Sequence, residues 1–368
     1  MNIKTYIYSI YNKIKWFWPY ATFTNYLYTE LFSFFNNFGS AVESKRGVSN
    51  IRIAIICDEM TWQNFYPECH ALFLTPRNWK NALIDFKPQL FFCESTWSGI
   101  EVRPDCWRSR IYKSKNIRRN NRKILFDILD WCKSNRTPTI FWNKEDPAFF
   151  FNTLYNFVDT ALQFDYIFTT ASECIEKYKQ LGHSRINLLP FGFSQCIFYP
   201  DDSIAKENTA VFAGSWYANE PIRCRDMVNV FDFVISNGIA LIIYDRQSGS
   251  SNPNNRFPDK YYKYINSAVS YKALGNIYRK SKYCVNINTV TESESMFARR
   301  VYEAMACKCI IISNESKSLR NQFDGKIWFL NEYINNNNIN QIVNENCKYV
   351  LYNHTWKHRY EYIISFIK

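Results

Sequence analysis

Two runs of strand–helix alternation, separated by one break, constrain this chain more than anything else in it. From "IRIAIIC" (51–57) onward, short β-branched and aromatic runs alternate with amphipathic stretches. Strands are expected at "PQLFFC" (88–93), "TPTIFW" (137–142), "FDYIFTT" (164–170) and "INLLP" (186–190), with a helix over Ser172–Lys179. The rhythm then restarts with strands at "TAVFAG" (209–214), "IALIIY" (239–244), "YCVNIN" (283–288) and "CIIIS" (309–313). Helical patterns over Arg225–Ser236, Tyr271–Lys280 and Ala298–Cys307 separate them. Short, uniformly apolar runs suit strands covered on both faces, so a mostly parallel sheet is predicted twice.

A chain of 368 residues also exceeds what one hydrophobic core usually holds. The expected division is an aromatic-rich helical segment at 1–50, a Rossmann-like domain at 51–190, a linker at 191–207 and a second Rossmann-like domain at 208–350. The two domains are expected to face each other across a cleft. Terminal helices follow, the last over 351–368.

The formal charge of +12 implies an anionic partner. The basic residues are not gathered into a recognised nucleic-acid motif, so nucleic acid is not expected among the partners. The 12 cysteines are scattered without a Cys-x-x-Cys, and there are 4 histidines, so no metal site is expected and a reducing, cytoplasmic setting fits. Two readings of residues 1–50 stay open. Tyrosines and tryptophans beside Lys13 and Lys15 suit an interfacial helix on an anionic membrane; a pair of helices packed on the first domain suits them equally. No stretch reaches the length needed to span a bilayer.

In open α/β sheets the working groups collect beyond the carboxyl ends of the strands. Acids follow three expected strands of the first domain: Asp58 and Glu59, then Glu94, then Glu145 and Asp146 in "WNKEDP". One such acid is an ordinary loop residue, but three strand ends sharing one edge predict an active-site rim. Trp142 is read equally as core or as a sugar platform. His354 is read as a cap or packing contact before a base.

In the second domain "SESMFARRVYEAMACKCIIIS" (293–313) sets Arg299 and Arg300 before Glu303 at helical spacings of four and three. Arginine offers a fork of donors to phosphate, and a carboxylate a turn away accepts from ribose hydroxyls. A nucleoside diphosphate is one guest such a stretch suits; an Arg–Glu ladder on a structural helix is the other reading.

The stretches "GSWYANEPIR" (214–223), "IYDRQ" (243–247), "RFPDKYYKYI" (256–265) and 277–313, with "DEM" (58–60), "LTPRNWKNAL" (74–83), "FKPQLFFCESTWSG" (86–99), "FWNKEDP" (141–147), "LPFGFSQCIFYP" (189–200) and "HTWKHR" (354–359), resemble the CgeB-like branch of GT-B glycosyltransferases, close to transferases of teichoic-acid and capsule assembly. The resemblance covers residue 50 to the end. It implies a nucleotide-sugar donor, no cofactor, no metal, and a glycan, lipid-linked or polymer acceptor of cell-surface polysaccharide held by the first domain. Gly214 and Ser215 would approach the diphosphate, Arg299 or Arg300 would meet phosphate, Glu303 the ribose, and Asn288, Thr289 and Ser295 would line the donor pocket. Arg300 would help stabilise the leaving group, and an inverting reaction would draw its base from Glu59, Glu94, Glu145 or Asp146. The final helix would pack back on the first domain. One departure weakens the retaining outcome that the overall resemblance favours: Ser295 stands eight positions before Glu303, where many retaining relatives carry a second glutamate. The rival readings are a polyol-phosphate transferase and a non-catalytic nucleotide- or glycan-binding protein.

Overall fold

The computed structural model describes residues 44–367 except 102, 104, 118, 119, 331 and 333–337. The membrane-surface reading falls almost wholly on residues outside that range. Among the described residues no helix is long and apolar enough to cross a membrane.

The chain forms two compact units, one ending at Pro190 and resuming at Tyr360–Lys368, the other spanning Phe191–Arg359. In the first, strands β1 (Lys45–Arg46), β2 (Arg52–Ile56), β3 (His70–Phe73), β4 (Leu90–Glu94), β5 (Thr139–Asn143), β6 (Tyr166–Thr169) and β7 (Ile186–Leu188) make one sheet in the order β1-β3-β2-β4-β5-β6-β7. Every pair is parallel except β1 with β3. Helices α1 (Glu59–Phe65), α2 (Trp79–Phe86), α3 (Lys123–Ser134), α4 (Phe157–Ala161) and α5 (Glu173–Gln180) lie between them in sequence. Ile53, Ala54, Ile55, Phe91, Phe92, Ile140 and Phe141 are fully buried, neighbours along each strand alike, as expected for a sheet covered on both faces. The terminal helix contributes to this unit: Tyr360 donates its hydroxyl to Ser49 at 2.7 Å, and Phe366 packs on Tyr166 and Phe168.

In the second unit β8 (Glu207–Gly214), β9 (Ala240–Asp245), β10 (Ile265–Ser267), β11 (Ser281–Asn286), β12 (Ile310–Ser313) and β13 (Trp328–Phe329) form an all-parallel sheet ordered β10-β9-β8-β11-β12-β13. Its helices are α6 (Pro221–Ser236), α7 (Tyr271–Lys280), α8 (Arg300–Ala306), α9 (Lys317–Phe323) and α10 (Ile339–Asn353); the terminal helix α11 (Trp356–Ile367) begins in this unit and belongs to the first from Tyr360 onward. Helix α6 turns Cys224, Met227, Val230, Phe231 and Val234 inward, a stripe at helical spacing packed with Phe212, Ile243 and Val285.

Helix α8 is shorter than the expected Ala298–Cys307. Its approach is held as a loop by side chains: Ser293 Oγ accepts from Met296 N at 3.0 Å, and Asn288 Oδ1 from Ala298 N at 3.1 Å. Two of the motifs, around Phe191 and around His354, meet directly. Phe193 N donates to His354 O, Trp356 N to Phe193 O at 2.7 Å, and Arg359 gives two bonds to Phe191 O. A Cβ on Gly192 would lie 3.0–3.2 Å from Arg359, His354 and Trp356, so any other residue at this close crossing would have to push these neighbours aside.

Candidate functional site

Strands β2, β4 and β5 are consecutive neighbours in the first sheet, so the acids at their carboxyl ends converge. At the centre stands Lys144, whose Nζ lies 2.8 Å from Asp58 Oδ2 and 3.0 Å from Glu94 Oε1. Burial opposes its charge, but Asp58, Glu94 and Glu145 outweigh that and hold it above the ordinary lysine value. Asp58 accepts from Lys144, from the Thr96 hydroxyl and from the backbone N–H groups of Trp97, Ser98 and Gly99. Burial works against ionisation there too, yet Lys144 and these donors bring its pKa down to about 2. Glu94 is fully buried and shifted upward by that burial; its Oε1 accepts from Asp58 N as well as from Lys144.

The remaining acids separate by their partners. Glu59 accepts from Gln63 Nε2 with one oxygen and from Glu101 N, at 2.7 Å, with the other. Asp146 is fully buried, accepting from Asn143 Nδ2 at 2.8 Å, Thr169 Oγ1 at 2.7 Å and Tyr178 OH at 3.2 Å. Burial pushes its pKa up to about 7. Glu145 is half-buried, and its Oε1 accepts from Trp97 Nε1 at 2.8 Å. Burial raises its pKa despite Lys144 beside it. Trp142 is core: it is fully buried, with Nε1 donating to Leu189 O.

The second unit assembles the other group. Arg299 and Glu303 are an ion pair with Nε 3.0 Å from Oε1, and Tyr271 OH donates to the same oxygen at 2.6 Å. Burial nonetheless raises the Glu303 pKa. Unlike an exposed helix ladder, the pair leaves its side chains only 13% and 4% accessible. Arg300 turns the other way, over the ring of Phe212 at 4.8 Å. That ring also lies against Gly214, where a Cβ would come within 2.4 Å of it. Arg223, on the first turn of α6, is buried over Tyr217 and donates from NH1 to Ser215 O at 3.0 Å. Burial, with Arg300 nearby, brings its pKa down to about 10.

Neither Arg223 nor Arg300 meets a carboxylate among the described residues. Beside them the fully buried Ser215 Oγ has no hydrogen-bond partner. Asn288 is anchored through its backbone to Asn314 and through Oδ1 to Ala298 N, while its buried Nδ2 is also without a partner. Thr289 is exposed and Ser295 half-buried. Glu294, the glutamate adjacent to Ser295, is tied to Lys317 and Asn321.

Arg223 closes the "GSWYANEPIR" stretch, but as one of two arginines at the start of an amphipathic helix it carries no sequence signal of its own. His354 is a packing residue. Its ring stacks on Tyr302 at 4.3 Å and Nδ1 lies 2.8 Å from Arg359 NH2; burial, helped by Arg359 and His358, lowers its pKa to about 3. Among the described residues no group of three or more His, Cys, Asp and Glu side chains is placed to hold a metal ion.

Residues 246–365 match the family described as glycosyl transferase-like. No curated protein matches the chain in sequence. Among solved structures, the Anabaena protein HepE, in complex with UDP and glucose, superposes at a TM-score of 0.52 with 8% identity over 86% of this chain and 99% of that one. An alpha-glucosyltransferase bound to UDP and a 13-mer DNA superposes at 0.53 with 10% identity over 87% and 100%. TarM superposes at 0.47 with 9% identity over 76% of this chain, which spans only 55% of TarM's length. With two parallel sheets flanked by helices, the first two likenesses show a GT-B fold of two Rossmann-like domains with C-terminal helices.

The same comparisons correct one expectation. Nucleic acid was excluded because no contiguous basic motif is present, yet alpha-glucosyltransferase complexes of this fold hold DNA. A phosphate backbone is met by basic side chains placed in three dimensions, which a search for short motifs does not see.

Proposed function

We propose that the chain is a glycosyltransferase that takes a nucleotide-sugar donor in its second unit. The observation that carries this reading is the pair of neighbouring arginines, the buried Arg223 and the half-buried Arg300, which meet no carboxylate among the described residues and lie beside the orphaned Ser215 hydroxyl. Two like charges held close together, one of them buried, are costly unless an anion completes the site. A diphosphate has the oxygens for both guanidinium forks and for the Ser215 hydroxyl. Gly214 brings the backbone end of β8 close, and Glu303 stands ready for ribose hydroxyls with the oxygen that Arg299 and Tyr271 leave free.

As the sugar is transferred, the bond from its anomeric carbon to the diphosphate breaks and negative charge grows on the leaving oxygen. Arg223 and Arg300 are positioned to stabilise that charge, and such fixed electrostatic stabilisation is a large part of catalysis. They supply the positive charge that a metal supplies elsewhere. The family match over residues 246–365 supports glycosyl transfer, since it includes Arg299, Arg300 and Glu303. The CgeB-like resemblance supports an acceptor of cell-surface polysaccharide; the DNA-bound alpha-glucosyltransferases keep nucleic acid among the acceptors to be assayed.

Calorimetric titration of the full chain with UDP, GDP, ADP and CDP tests the donor site, followed by assay of the matching nucleotide sugars for release of diphosphate. Binding of none of the four by the folded protein would defeat the proposal.

A further inference from the structure

Of the acids gathered at the carboxyl edge of the first sheet, Glu145 has a distinct environment. Both oxygens of Asp58, Glu59 and Asp146 are engaged, and Glu94 is sealed from solvent. Glu145 uses one oxygen on Trp97 Nε1; the other, Oε2, accepts no hydrogen bond among the described residues and is not sealed in.

Trp97 is equally set apart. Phe149, Tyr155 and Phe157 meet it edge-on with centroids 5.2–5.4 Å away, and Tyr112 lies tilted at 5.9 Å. These rings and the bond to Glu145 hold the indole in one orientation, yet it remains half-buried rather than enclosed. The result is a rigid aromatic surface with a carboxylate at its polar edge and one acceptor oxygen to spare. A pyranose ring has the complementary character, with C–H groups on its faces and hydroxyl donors around its rim.

We propose that Trp97 and Glu145 form an acceptor platform for a neutral carbohydrate, the sugar lying against the indole and one hydroxyl donating to Glu145 Oε2. Charge separates this ligand from a phosphate-bearing one. Glu145 Oε2 offers an acceptor to a hydroxyl, whereas the same carboxylate repels a phosphate placed against it. The upward shift of Glu145 is consistent with an oxygen poorly solvated by water and available to a ligand. The assignment rests on the glycosyl-transfer reading above.

The test is saturation-transfer NMR on the full chain with the methyl glycosides of glucose, galactose and N-acetylglucosamine, and separately with a single-stranded dT 12-mer. The same samples are titrated with the four nucleoside diphosphates. At least one glycoside is expected to bind, and Glu145→Gln, which keeps an acceptor for Trp97 but replaces the free oxygen, should weaken it by about tenfold, the cost of one hydrogen bond to a charged group. Trp97→Phe, which keeps a ring in the cluster, should weaken it as well, with diphosphate affinity unchanged in both variants. Glycoside binding absent from the wild type, or unaltered in both folded variants, overturns the platform. Oligonucleotide binding lost in the variants while glycosides fail to bind overturns it in favour of nucleic acid. Failure of the diphosphates alone would count against the donor site and leave the glycoside result standing.

Discussion

Arg299 Nε and Glu303 Oε1 are 3.0 Å apart on one helical face, and the oxygen that joins them also takes the Tyr271 hydroxyl. In the proposed donor site Glu303 would therefore couple binding to stability. Glu303→Gln leaves Tyr271 an acceptor but removes the charge facing Arg299, which still has the Phe191 and Tyr271 rings beside it. The variant should weaken nucleotide binding and also lose about 1–3 kcal/mol of stability, the cost of an incompletely satisfied buried group. Adding Arg299→Met should recover part of the stability and none of the affinity. Thermal melts and calorimetric titration of the two single variants and the double variant read both effects. Full stability in Glu303→Gln would show that the pair contributes nothing to the fold.

Arg300 predicts the opposite pattern. Among the described residues it meets no carboxylate, its contact with Val285 O is long at 3.5 Å, and it stands near the buried Arg223. Arg300→Met keeps a stem over Phe212 and relieves a like-charge contact. Its melting temperature should stay level or rise, while diphosphate affinity falls by about tenfold or more, the loss of a charge-assisted bond. The affinity of the wild type should also fall as salt is added. A destabilised Arg300→Met with unaltered diphosphate affinity would make Arg300 a structural residue.

Asp146 sets a pH dependence in the first unit. Its folded pKa, about 7, lies above the ordinary 3.8. The stability it contributes is therefore fully present below pH 3.8 and lost as the pH rises through about 7. Asp146→Asn cannot ionise and keeps an acceptor and the shape. Relative to the wild type it should gain stability between pH 5 and pH 8, measured by urea unfolding followed with a probe in the first unit. A constant difference across that range would show that Asp146 does not titrate there.

Much of this was legible in the strand–helix rhythm, because buried parallel strands are largely apolar along their length and nine such runs stand out. The strands that escaped are short: "KR" at β1, "HALF" at β3, "INS" at β10 and "WF" at β13 have no room for a pattern. The acids after β2, β4 and β5 could be assigned to one edge, but their convergence depends on strand order, which no local signal encodes. Lys144 was passed over for the same reason, since its importance lies in Asp58 and Glu94, 86 and 50 residues away in sequence. Trp97 and Trp142 sit alike at the ends of apolar strands in the sequence; only burial separates the core tryptophan from the one at the rim. The spacing of Arg299 and Glu303 foresaw their pairing. It could not foresee that Arg300, one residue on, would point to a different neighbour.

His354 carries the last prediction. Burial, with Arg359 and His358 beside it, holds its folded pKa near 3, against an ordinary value of 6.5. A neutral imidazole in the fold means that the unfolded chain takes up a proton the native one refuses. The stability from this site is thus complete above pH 6.5 and falls as the pH drops from 6.5 toward 3, by up to about 1.4 kcal/mol per pH unit. Asp58, with its folded pKa of about 2, adds its own loss below about 3.8, while Asp146 and Glu303, both raised by burial, act with the opposite sign. These contributions are common to the wild type and a His354 variant, so the difference between the two profiles isolates the histidine. His354→Phe keeps a ring against Tyr302 and gives up the bond to Arg359. It should cost about 1–2 kcal/mol at pH 7.5 and show a flatter profile between pH 6.5 and pH 4, so that the two curves converge as acid is added. Parallel curves would mean that His354 is protonated in the fold. Arg359, which also clamps Phe191 O, would then face a ring nitrogen that carries a proton and can no longer accept its hydrogen bond.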